Sequence, residues 1–73
     1  MKIIKLSERV FSVYDDLKPK IKYSDVYIKA DQIMLIRAHE EGSLLFFPWR
    51  GFSTPVKETP EQILEIIKKT PEI

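Results

Sequence analysis

Chemistry in a small protein needs nucleophiles, bases or metal ligands brought together, and this chain has few of them. Its one histidine, His39, is followed by Glu40 and Glu41. The helical zinc-protease arrangement needs a second histidine four residues on, to hold the metal while a glutamate serves as base. Position 43 is serine, so the group reads as a solvated loop. Asp15-Asp16 lacks the spaced Asp/Asn ligands and central glycine of a calcium loop, and reads the same way. With Gly42 and Gly51 the only glycines, there is neither a phosphate-cradling loop nor a dinucleotide fingerprint, since both need several glycines for close backbone approach. No catalytic residue, metal site or cofactor is assigned, and the chain is expected not to be an enzyme.

Two groups of side chains point instead to binding. Phe46-Phe47-Pro48-Trp49-Arg50-Gly51-Phe52 gathers the single tryptophan, three of the four phenylalanines and an arginine around a turn. Aromatic residues and arginine concentrate binding energy at interfaces because they bury much area at modest entropic cost. Phe47, Trp49, Arg50 and Phe52 are the candidate partner-binding residues; the alternative is that Phe46 or Phe47 and Phe52 are core, with Trp49 folded over them. Lys18, Lys20 and Lys22 stand at alternate positions, with Tyr14, Tyr23 and Tyr27 nearby. In an extended segment the three lysines share a face, and basic groups interleaved with aromatics suit nucleic acid, through phosphate attraction and base stacking. Lys18, Lys20, Lys22 and Tyr23 form that alternative site; the competing account is an edge strand kept from aggregating by its charges.

The elements that must position these groups are mostly strands. Lys2–Leu6, Val10–Tyr14, Ile21–Ile28, Ile33–Ala38, Leu44–Phe47 and about Phe52–Lys57 are short apolar segments rich in β-branched and aromatic residues. Asp15–Lys20 reads as a loop, because Pro19 lacks a ladder donor and disfavours helix before it. In Ile21–Ile28, residues Ile21, Tyr23 and Tyr27 fall on one face and Val26 and Ile28 on the other, so both sides are expected to be partly covered. Ile33-Met34-Leu35-Ile36 is apolar throughout, the pattern of a fully buried central strand. Glu40-Glu41-Gly42-Ser43 joins it to Leu44–Phe47 as a hairpin, and Pro48-Trp49-Arg50-Gly51 is the next turn.

The end of the chain carries the sharpest local signal. Thr59 can cap a first helical turn, Pro60 occupies a position that needs no N–H, and Gln62 completes a capping box. Ile63, Ile66 and Ile67 then form an apolar stripe widened by Leu64, with Lys68 and Lys69 at the negative end of the helix dipole. Thr70-Pro71 ends the helix. Strands followed by one helix give an α+β class: one domain over residues 1–73, with strands within about 2–57 and a helix over about 60–70. The sheet is antiparallel, of about five to six short strands, either open or closed into a small barrel.

Composition sets the outer limits. Seventy-three residues leave room for one core, and 44% apolar with 32% charged residues is the balance of a folded chain rather than a disordered one. There is no cysteine, so a reducing, cytoplasmic setting is expected and no disulfide or thiolate metal site can stabilise the domain. The closely spaced charges of the first nine residues do not form a signal peptide, and no apolar run reaches the roughly 20 residues of a membrane span. Residues 1–30 carry seven Lys/Arg and four Asp/Glu (+3) against five and seven (−2) in residues 31–73. That polarity falls short of a dedicated nucleic-acid-binding domain.

From Tyr27 onward, roughly its C-terminal two-thirds, the chain resembles the small flagellar and swarming-motility proteins of the FlbD-like family. The resemblance lies in Ile28-Lys29-Ala30-Asp31-Gln32-Ile33-Met34-Leu35-Ile36, a hairpin after it, and Val56-Lys57-Glu58-Thr59 leading into Pro60-Glu61-Gln62-Ile63. It implies a sheet-plus-helix architecture and a motility accessory role, with no catalytic residues to carry over. Residues 1–26 and the Pro48-Trp49-Arg50-Gly51 turn depart from the family's pattern.

The leading expectation is a non-catalytic protein-interaction module or small accessory protein that self-associates, its partner being another protein. One helix covers part of one sheet face, while Ile33–Ile36 and Leu44–Phe47 are apolar on both. Each large apolar side chain left in water forgoes roughly 1.5–3 kcal/mol of burial. A homodimer is favoured over a closed barrel because nothing else stabilises a monomer this small.

Overall fold

The computed structural model describes the backbone of residues 1–15 and 18–73 and the side chains of residues 1–10 and 21–73. In chain order the elements are β1 (Ile3–Asp15), β2 (Lys18–Lys29), a 3-10 turn (Ala30–Gln32), β3 (Leu35–His39), β4 (Gly42–Phe46), β5 (Thr54–Val56) and α1 (Pro60–Lys69). The five strands form one antiparallel sheet in the order β2-β1-β5-β4-β3. Together with the C-terminal helix this is an α+β fold. The two end strands, β2 and β3, do not pair with each other, so the sheet is open and not a barrel.

Register explains which side chains are inside. Ile4 lies opposite Ile28 and Leu6 opposite Val26. Leu45 lies between Ile36 and Thr54, and Ser43 beside Val56. Because side chains alternate along a strand, these residues share a face, and α1 packs on it. Ile4, Leu6, Leu45, Phe47, Val56 and Ile63 are buried there, with Val26, Ile28, Ala30, Ile33, Ile36, Ile66 and Ile67 packed around them. Burying each large aliphatic side chain contributes about 1.5–3 kcal/mol. On the opposite face Leu35 pairs with Phe46, and Leu44 lies between Arg37 and Pro55; no helix covers that side.

Several expectations need correction. Lys2–Leu6 and Val10–Tyr14 belong to one strand, β1, since Ser7, Glu8 and Arg9 continue the ladder opposite Asp25, Ser24 and Tyr23. Of the expected loop over 15–20, Asp15 and Lys18–Lys20 are strand residues, and Asp16 and Leu17 lie outside the described residues. Pro19 is tolerated in β2 because end strands of a sheet accept a missing N–H. Ile33–Ile36 is not a central strand: the strand begins at Leu35 and lies at the sheet's end, with Met34 63% and Leu35 43% exposed. Its unbroken apolar run arises because Ile33 and Ile36 serve the core while Met34 and Leu35 face away from it. Likewise β2 is covered on one side only, Ile21, Tyr23 and Tyr27 being exposed, and β5 is limited to Thr54–Val56.

The helix forms as expected. Thr59 Oγ1 accepts the Gln62 N–H at 3.2 Å and Gln62 Oε1 accepts the Thr59 N–H at 2.9 Å, closing the capping box over Pro60. Its far end is satisfied partly from a distance, where Lys2 Nζ donates to the Ile67 carbonyl at 2.8 Å. Ile63 is fully buried, whereas Leu64, expected to widen the buried stripe, is 59% exposed. Among the described residues, no helix is long and apolar enough to cross a membrane.

The sheet has a narrow waist. β1 pairs with β2 along most of its length but meets β5 only where Glu8 lies opposite Val56. Just beyond, the Lys57 N–H donates to the Ser7 carbonyl at 2.9 Å. The Ser7 N–H in turn donates to both oxygens of the Glu58 carboxylate, at 3.0 and 3.2 Å. A side chain thus supplies the acceptor that a longer β5 would have provided. The Glu58 carbonyl also accepts the buried Ser43 hydroxyl at 2.8 Å, tying β4 to the same point. The distal part of the β1–β2 hairpin projects past this waist, which gives the molecule extents of 44 × 24 × 21 Å.

Candidate functional site

The aromatic segment leaves β4 with its alternation intact. Leu45 is buried, Phe46 half-buried and Phe47, at 4% exposure, is core. Phe47 is therefore corrected from a surface contact to the floor beneath one. The Arg50 N–H donates to the Phe47 carbonyl at 3.2 Å, closing a turn whose second residue, Pro48, has the fixed φ that this position favours. The turn thus spans Phe47–Arg50, one residue earlier than the sequence suggests.

It lifts Trp49 and Phe52 into solvent, each 64% exposed, and sets Arg50 against both. The Arg50 guanidinium carbon lies 5.5 Å from the Trp49 ring centre and 4.2 Å from that of Phe52. Trp49 also stands on Phe47, with ring centres 5.3 Å apart at 32°. Arg50 is fixed from below, one terminal nitrogen donating to Thr54 Oγ1 at 2.6 Å. Thr54 is buried, so this bond also satisfies a hydroxyl that would otherwise be costly inside.

Beside the turn runs an open cleft of about 580 Å³ between it and the β1–β2 hairpin. Val26, Ile28 and Phe47 supply apolar walls, Trp49 and Arg50 one lip, Tyr27 and Lys29 of the end strand the other, and Glu8 and Thr54 line it as well. The cleft offers apolar surface, a guanidinium, an ammonium and a carboxylate, the inventory for holding a peptide segment. The turn is legible in the sequence, whereas Glu8, Val26, Ile28 and Thr54 reach the site only through strand pairing. The one available signal was the alternation that sets Val26 and Ile28 on a common side.

The basic strand is arranged differently. Lys22 and Tyr23, opposite Val10 and Arg9, are successive strand residues and point to opposite faces. The Tyr23 ring is taken up by Lys57, whose ammonium lies 5.3 Å from the ring centre. The side chains of Lys18 and Lys20 lie outside the described residues. β2 is an end strand, as the edge-guarding account of its lysines expects. His39, Glu40 and Glu41 are exposed; His39 Nδ1 accepts the Glu41 N–H at 3.3 Å and Glu41 pairs with Arg9. Among the described residues, no three His, Cys, Asp or Glu side chains converge as metal ligands would.

Comparison with known proteins yields no significant match to any protein-family model, curated protein or solved structure.

Proposed function

We propose that this chain is a non-catalytic, self-associating protein-interaction module of the cytoplasm, and that Trp49, which stands on Phe47, forms its binding patch together with Arg50 and Phe52. The observation that carries this reading is the Arg50 guanidinium held over two exposed rings by its bond to buried Thr54. Large rings kept in place before a partner arrives lose little freedom on binding, which is the general route to a binding hot spot. The adjoining cleft gives a partner segment apolar walls and charges of both signs.

The test separates binding from stability. Replacing Arg50 would also orphan the Thr54 hydroxyl, so Trp49→Ala with Phe52→Ala is the cleaner change. That protein should melt close to the wild type and lose the partners that the wild type captures from its native host. A folded double variant that captures the same partners would remove the patch from consideration.

Nucleic-acid binding through Lys18, Lys20, Lys22 and Tyr23 has less support, because Tyr23 faces away from Lys22 and is occupied by Lys57. A motility accessory role rests on the family resemblance; the helix lead-in and the β3–β4 hairpin that carry the resemblance are scaffold, not patch.

A further inference from the structure

The two ends of the sheet are protected unequally. The sequence of β2 includes Lys18, Pro19, Lys20, Lys22 and Lys29, residue types that keep an end strand from pairing with another chain. β3 has no such protection at its start. Met34 and Leu35 are exposed there, and Leu64 of α1 is exposed beside them. Together with Pro60 and Ile67 they surround a shallow apolar depression of about 350 Å³ between β3 and the helix. Strand end, apolar side chains and depression form one continuous strip.

We infer that a second copy of this chain occupies that strip, its β3 laid antiparallel to the first about a twofold axis near Ile36. The inference rests on the reading of the module as self-associating and assigns the surface. Two observations favour a second copy. The strip is self-complementary: a protruding Met34 lies beside a hollow of its own kind, as a twofold interface requires. Pairing centred on Ile36 places Met34 opposite the small Ala38 and Arg37 opposite Leu35. Pairing centred one residue later would set Arg37 against Arg37 and Glu40 against Met34, so charge selects the register.

Light scattering at micromolar concentration should give twice the single-chain mass of 8.6 kDa for the wild type and for Trp49→Ala with Phe52→Ala. Met34→Glu with Leu64→Glu, both at exposed positions, should give the single-chain mass with an unchanged circular dichroism spectrum. Since the chain has no cysteine, Ile36→Cys should cross-link to a covalent dimer on oxidation and Arg37→Cys should not. A wild type that stays at the single-chain mass would overturn self-association and this inference with it. A dimer that survives the Met34/Leu64 change, or is lost in the Trp49/Phe52 variant, would overturn the surface alone. Cross-linking through Arg37→Cys instead of Ile36→Cys would overturn the pairing.

Discussion

Alanine at Gly42 should remove a large share of the fold's stability, whereas alanine at Gly51 should add a little. Gly42 has φ +137°, a conformation side chains rarely adopt, and a Cβ there would lie 2.1 Å from the Val56 carbonyl oxygen and 2.6 Å from that of Lys57. Ordinary contact begins at 3.4 Å, so backbone must retreat by 3.4 − 2.1 = 1.3 Å, and no rotamer change can relieve it. The segment that would move carries the Ser43–Val56 pairing and the Lys57 N–H bond to Ser7. Backbone strain of about 1–3 kcal/mol and overpacking of about 1–3 kcal/mol together make about 2–6 kcal/mol. At about 0.05–0.15 kcal/mol per residue the whole chain is stable by only about 4–11 kcal/mol. A fall in Tm of at least about 8 °C follows, taking the lower cost and about 4 °C per kcal/mol. At Gly51 a Cβ meets nothing within 4 Å and φ lies outside the strained range, so alanine there mainly restricts the unfolded chain and adds about 0.4–1 kcal/mol. Thermal melts followed by circular dichroism, at one fixed protein concentration because dimerisation would shift Tm, compare the two. A Gly42→Ala protein that melts with the wild type, or two alanine variants that move together, would refute the reasoning.

Glu58→Ala should cost about 1–3 kcal/mol by leaving the Ser7 N–H without its acceptor. Urea denaturation should show the loss, and a midpoint unchanged from wild type would mean that water serves Ser7 equally well. Thr59→Ala should cost about 1 kcal/mol through the lost cap, with the first-turn amides of α1 exchanging faster. Unaltered exchange at Gln62 would count against a working capping box.

What could be read in the sequence was whatever local chemistry decides. The helix start was legible because Thr59, Pro60 and Gln62 each answer a need of the first turn, independent of the rest of the chain. The β3–β4 hairpin was legible from two apolar runs around Gly42. The position of a strand within the sheet was not, because an apolar run such as Ile33–Ile36 is the same whether its second face meets a neighbour or remains open. The continuity of β1 was not legible, because Ser7-Glu8-Arg9 is polar and its ladder is continued by Asp25, Ser24 and Tyr23 of β2, partners that no local pattern reveals. At the candidate site, composition marked Trp49, Arg50 and Phe52. Assigning Phe47 to the floor required knowing which face of β4 the helix covers.

The narrow waist has a consequence for how the chain assembles. β1–β2 and β3–β4 are hairpins that close over short stretches of sequence, the kind of pairing that forms early and fast. The bonds between Ser7 and Glu58 join residues 51 apart, and the closure entropy of that long loop must be met before the bonds return anything. Assembly is therefore expected to end at this seam, with the two ribbons docking through Glu8, Val56 and Glu58 as α1 closes over Ile4 and Leu6. The same seam is where the native molecule should open first. Amide exchange can verify this: Ser7 and Lys57 should lose protection together and ahead of the centres of both hairpins.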